Sequence, residues 1–236
     1  MIETLPWYWS GLFVGCVLYV LAILFRAYSD SRLGRSILSI VAVWLVVQGL
    51  LGYGGFYRAG LGDARFMLLL GPPALAIGIV LFTPSIRRRM IGAPLMLFVW
   101  IHVVRIPVEM VLWGLFQHGD VPRSITFEGT NFDVLTGVTA PLVVLFAFRS
   151  GKANRRLLIS WHIMGLALLA NVVVTAVLST PVPFQQLNFD QPNVGMQYFP
   201  FVWLPSFVVP AVLFAHVASL VRLCSRTQIE TVKTTW

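Results

Sequence analysis

Apolar residues gather into seven long runs along the chain, at 7–25, 36–56, 66–83, 90–116, 132–148, 157–179 and 199–221, separated by polar or basic connectors. Roughly 20 residues at 1.5 Å rise carry a helix across about 30 Å of hydrocarbon. In such a medium each backbone N–H and C=O must be bonded within its own segment, so the runs are predicted to be helices. The period-two alternation of a membrane β-strand is absent. The third and fifth runs are the shortest and contain Pro72-Pro73 and Pro141, which predict kinks or first turns. The pattern predicts an all-α membrane protein: one domain over 1–236 built as a bundle of about seven transmembrane helices.

Charge orients the bundle. With the N-terminus outside and the C-terminus cytoplasmic, the inner segments hold Arg26, Arg32, Arg35, Arg87, Arg88, Arg89, Arg149, Lys152, Arg155, Arg156, Arg222, Arg226 and Lys233, which is 13 of the 17 basic residues. The outer side holds Arg58, Arg65 and Arg123, while Arg105 lies inside a run. The positive-inside rule favours this orientation and an odd number of helices. Acids are distributed the opposite way: Glu3, Asp63, Asp120, Glu128, Asp133 and Asp190 fall outside, Asp30 and Glu230 inside. Met1-Ile2-Glu3 lacks the basic start of a cleavable signal, so the first run is read as a retained helix.

Composition agrees. The chain is 58% hydrophobic and only 11% charged, against about a quarter charged in a soluble domain. Its net charge of +8 does not indicate nucleic acid, because the basic residues sit in short connectors between apolar runs. Cys16 and Cys224 lie in the first run and in the C-terminal tail, which gives no disulfide and no zinc pattern. Two outer connections, about 117–131 and 180–198, are long and rich in Asn, Asp, Gln, Gly, Pro and Phe, and are predicted to form packed caps.

The candidate chemistry begins in the fourth run with His102, Arg105, Glu109 and Trp113, which share one helical face. Arg105 and Glu109 are at the i, i+4 spacing of an ion pair. Each charge costs roughly 2.5–3.5 kcal/mol at the centre of a lone inserted helix, so both must face the bundle interior. Counting from Arg89 at 1.5 Å per residue puts Arg105 about 24 Å along the axis, in the outer half. There Glu128, Asn131 and Asp133 can contribute from the loop above. The expected ligand-binding set is therefore His102, Arg105, Glu109, Glu128, Asn131 and Asp133. Arg105 would hold an anionic group, Glu109 would orient it or carry a proton, and His102 would be a hydrogen-bond partner or relay. A structural ion pair that fixes helix packing explains the charges equally well.

His162 and His216, each about one helical turn from the inner end of its run, predict a pair near the cytoplasmic face. They could ligate a b-type haem or a transition metal, or could join two helices by a hydrogen bond. No other metal-ligand spacing is present. These residues lead to a binding or transport protein for a small polar or anionic ligand. The alternatives are a membrane enzyme acting on a lipid or lipid-linked substrate at the outer leaflet, and a structural subunit whose loops dock a membrane protein or a second copy of the chain. The expected location is a cell membrane, multi-pass; in a bacterium this is the cytoplasmic membrane. Substrate, catalytic residues and oligomeric state have no sequence signal.

Overall fold

The computed structural model describes residues 2, 5–58, 64–149 and 153–225. Glu3, Asp63, Lys152, Arg226, Glu230 and Lys233, whose charges enter the topology argument, lie outside the described residues. All regular structure among the described residues is helical: α1 Trp7–Tyr28, α2 Arg32–Tyr53, α3 Met67–Phe82, α4 Pro84–Met90, α5 Leu95–Trp100, α6 Arg105–Gln117, α7 Val134–Ala147, α8 Arg155–Leu178 and α9 Val209–Cys224. The 3-10 turn Ile101–Val104 joins α5 to α6, and the π-helical turn Leu204–Val208 opens the last rod, so that Leu95–Gln117 and Leu204–Cys224 each run as one continuous helix. Among the described residues, six helices are long and apolar enough to cross a membrane; α7 is apolar but shorter. Their outward faces are greasy: Phe82 is 87% exposed, Leu50 68% and Ile40 67%. A surface of that kind is stable when lipid, not water, surrounds it.

The Leu95–Gln117 rod sits at the centre and packs on α1, α7 and the last rod, while α2 and α3 lie at the periphery against α1 and α9. Close approach depends on small residues: a Cβ on Gly114 would meet the Trp9 ring at 2.5 Å, and one on Gly52 would meet Val202 at 2.8 Å. Proline shapes the last rod. Pro210 has no N–H to offer the Ser206 carbonyl one turn earlier; Trp44 of α2 donates its indole N–H to that oxygen instead, at 2.9 Å. Trp203 donates in return to the Leu45 carbonyl at 2.8 Å, which fixes α2 on the last rod.

The arginine-rich ends of the helices come together. Tyr28 donates to the Met90 carbonyl (2.8 Å), Arg155 to the Leu223 carbonyl (2.7 Å) and Arg222 to the Ala93 carbonyl (2.6 Å). At the opposite end the two long connections form one cap. The rod ends in a Schellman turn: Gly119 adopts φ +82°, its N–H meets Phe116 O at 3.0 Å, and the Asp120 N–H meets Leu115 O at 2.9 Å. The Asp120 carbonyl then accepts from the N–H groups of Val194 (3.1 Å) and Gly195 (2.7 Å) in the other connection. Asn188 reaches across to Ser124 Oγ at 2.8 Å, and Gln191 to Val121 O at 2.7 Å.

A candidate polar site inside the bundle

Three helices bring histidine to one level. His102 lies in the 3-10 turn, seven residues into the Leu95–Gln117 rod; His162 lies seven residues into α8; His216 lies eight before the end of α9. At 1.5 Å per residue all three sit about 10–12 Å in from the arginine-rich end. All are fully buried. The His102 and His216 rings stack with centroids 4.0 Å apart, and Trp161 packs edge-on against His102 at 5.3 Å. His162 Nδ1 and His216 Nδ1 are 2.9 Å apart. One ligand nitrogen from each of the three rings lies within 4.8 Å of the others.

The cluster continues into charge. His216 Nε2 is 3.0 Å from Arg105 Nη2, and Arg105 Nη1 forms a buried ion pair with Asp133. A guanidinium only donates, so His216 Nε2 must accept. The proton of a neutral His216 then sits on Nδ1 and is donated to His162 Nδ1, leaving His162 protonated at Nε2. One turn further along the rod, Glu109 Oε2 accepts from Asn131 Nδ2 at 2.6 Å. Asn131 also donates to the Ile125 carbonyl (2.9 Å), and its Oδ1 accepts the Asp133 N–H (2.9 Å), which fixes the start of α7 and aims Asp133 inward. Gly137 lets α7 come this close: a Cβ there would meet the His102 carbonyl at 3.1 Å and Arg105 Cβ at 3.2 Å.

Beside Arg105 lies a cavity of about 80 Å³. Its polar end is formed by Arg105, Glu109, Asn131, Asp133 and Asn193, and its walls by aliphatic side chains including Val104, Leu169, Val208 and Val212. At roughly 30 Å³ per water molecule this volume admits two or three waters or the polar end of a small molecule. Leu70 of α3 and Val172, Val173, Ala176 and Val177 of α8 line it while remaining partly exposed, so its rim lies on the lateral surface of the helices. Three residues at the polar end carry a buried atom without a hydrogen-bond partner: Arg105 Nε, Glu109 Oε1 and Asn193 Oδ1. Each such atom costs about 1–3 kcal/mol unless something satisfies it.

The structure thus brings together five of the six residues expected from sequence: His102, Arg105, Glu109, Asn131 and Asp133. Glu128 stands apart, its Oε1 accepting from the Trp113 indole at 2.7 Å near the surface of the cap. Two other expectations are corrected. Arg105 pairs with Asp133 and not with Glu109, because the start of α7 delivers a carboxylate to the guanidinium while Asn131 takes up Glu109. The two groups expected at different depths adjoin each other through the contact of His216 with Arg105. Residues 84–90 form the separate helix α4, and the chain turns before Pro94, so the depth of His102 counts from Leu95 and not from Arg89. Asn193, buried in the second connection, was not singled out by sequence; its Nδ2 donates to Ala176 O at 3.2 Å, and nothing in the local pattern of an Asn-rich loop marks it. In the cap, burial pushes the Asp120 carboxyl up to about 6, against the partial pull of His118.

A model of a domain of unknown function, DUF8737, matches residues 65–224. The chain belongs to the DUF8737 family. The matched region runs from the start of α3 to the end of α9 and contains every residue of the polar cluster and of the cavity, whereas α1 and α2 precede it. No curated protein and no solved structure matches the chain.

Proposed function

We propose that the protein binds a small amphiphilic ligand within the membrane, its polar end seated on Arg105, Glu109 and Asn193 and its apolar part lying along the aliphatic walls of the cavity. The observation that carries this reading is the coincidence of three unpartnered buried polar atoms with one apolar-walled cavity. Ligand sites of this kind are mostly apolar with a few convergent polar groups. The unpartnered set specifies complementary chemistry: a donor for Glu109 Oε1, a donor for Asn193 Oδ1 and an acceptor for Arg105 Nε–H. Because Asp133 already neutralises Arg105 and Glu109 adds a further carboxylate, an uncharged, donor-bearing polar end suits the site. The rim on α3 and α8 favours entry from the lipid, and hence a lipidic ligand over a water-borne one. Transport and lipid chemistry are both ways of using such a site.

The orientation belongs to the same proposal: a multi-pass protein of a cell membrane, with its arginine-rich end cytoplasmic. A single cysteine placed at Arg88 should stay unlabelled by a membrane-impermeant maleimide in intact cells; labelling would reverse the topology.

Native mass spectrometry of the full chain released from lipid nanodiscs tests the ligand. Wild type should retain an adduct of lipid-like mass. Asn193→Leu, which fills the polar end with methyl groups, should lose it while the helical circular dichroism is kept. Identical spectra for the two proteins, with or without added lipid extract, would remove the reading.

A further inference from the structure

The three buried imidazoles are not accounted for by the amphiphile site, because none of them lines the cavity. We propose that His102, His162 and His216 bind one first-row divalent transition-metal ion of the zinc type in the middle of the bundle. Neutral imidazole is the common protein ligand for zinc, copper, iron and nickel, and three imidazoles with a free fourth position form an established zinc arrangement.

Position and satisfaction point the same way. Three separate elements, the 3-10 turn of the central rod, α8 and α9, deliver one histidine each to a common point, with ligand nitrogens within 4.8 Å. Both ring nitrogens of His102 have no hydrogen-bond partner despite full burial. A histidine kept only for helix packing would normally find a partner for at least one nitrogen. His102 finds none, and an ion would occupy the lone pair of its unprotonated nitrogen.

The space is built for the rings. A Cβ on Gly165 would meet His216 Cε1 at 2.5 Å and Nε2 at 2.9 Å, so α8 is glycine where the His216 imidazole lies against it. Gly165 is one turn beyond His162, and this brings the two rings side by side. A tetrahedral ion with bonds of about 2.0–2.1 Å sets its ligand nitrogens about 3.3 Å apart. The His162 and His216 Nδ1 atoms, 2.9 Å apart, need to open by only a few tenths of an ångström. A haem on this pair would require a whole porphyrin plane between those two nitrogens, and packed α8 and α9 leave no such slot. The ion is therefore the cofactor that fits.

Charge and protons balance. Arg105 lies on the far side of the His216 ring from Nδ1 and is neutralised by Asp133, so the guanidinium does not face the ion. The ion takes the place of the Nδ1 proton of His216, which leaves to solvent. His216 then binds as an imidazolate whose Nε2 accepts from Arg105, while His162, protonated at Nε2, and His102 bind as neutral imidazoles.

The test uses the full chain in nanodiscs, stripped with chelator, loaded with Zn²⁺ or Co²⁺, and freed of loose metal on a chelating resin. Elemental analysis should find about one ion per wild-type chain, and Co²⁺ should give the intense visible absorption of a tetrahedral site. His102→Ala, His162→Ala and His216→Ala should each lose the ion and the band, and His118→Ala, in the cap, should keep both. Gly165→Ala retains all three ligands but displaces His216, and should weaken binding by at least about tenfold. If a histidine variant fails to fold, wild type and Gly165→Ala still decide. A wild type without the Co²⁺ band, or variants that hold the ion as wild type does, would overturn the proposal.

Discussion

Asp133→Ala is expected to destabilise the protein by about 3–5 kcal/mol, the cost of leaving a buried guanidinium without its counter-charge. Arg105 is 4% exposed, and the Asp133 side chain is the only carboxylate paired with it among the described residues. Its other partner, His216 Nε2, accepts one hydrogen bond but carries no negative charge. Cutting the pair from the opposite side, Arg105→Met, should cost a similar amount by stranding the carboxylate. The double variant Arg105→Met/Asp133→Ala should lose clearly less than the sum of the two single losses, since it leaves neither charge stranded. Denaturant unfolding of the four proteins in one detergent measures the cycle. Additive losses in the double variant would mean that the two side chains do not act as a pair.

Gly129→Ala is expected to cost about 3 kcal/mol, because the obstruction is backbone and cannot rotate away. A Cβ at this position would stand 2.3 Å from the Arg123 carbonyl oxygen and 2.7 Å from Ser124 Cα. The 3-10 turn Arg123–Ile125 must then move, and with it the Ile125 carbonyl that holds Asn131. Asn131 in turn holds Glu109 and the start of α7. The variant should therefore lose ligand retention as well as stability, whereas Gly119→Asn, where no atom lies within 4 Å and asparagine tolerates the positive φ, should be mild in both. Thermal unfolding and native mass spectrometry of the two variants check this. Equal behaviour would show that the cap does not support the polar site.

Helices were legible in the sequence because length and hydropathy carry the information. The runs at 7–25 and 157–179 correspond to α1 and α8, with ends moved by a few residues as polar Arg26 and Arg155 continue the helical turns. The fifth run became α7, a shorter apolar helix of 14 residues, and Asn131 and Asp133, just before its start, build the site. The division between α4 and α5 was the main obstacle to placing the site. Arg89 continues a short helix that begins at Pro84, and only Pro94 marks the restart of the rod. A depth counted across that turn carried His102 and Arg105 too far from the other histidines.

The partners of the polar residues were less legible than the residues themselves. Spacing showed that His102, Arg105 and Glu109 share a face, since that follows from the helical period alone. It could not show which neighbour faces them, because the rotation of α7, α8 and α9 about their axes is set by packing. Gly137 and Gly165 allow the close approaches on which that packing depends. The alternative reading of a structural ion pair also has a place in the outcome: Arg105 and Asp133 do bind α7 to the central rod, and the same side chains bound the cavity.

Density for the protein in a lipid nanodisc, at a resolution that shows side chains, tests the central claim most directly. An elongated feature should enter between α3 and α8 and end within hydrogen-bond distance of Glu109 Oε1 and Asn193 Oδ1. Aliphatic side chains closing that space, with Glu109 and Asn193 turned to protein partners, would contradict the claim.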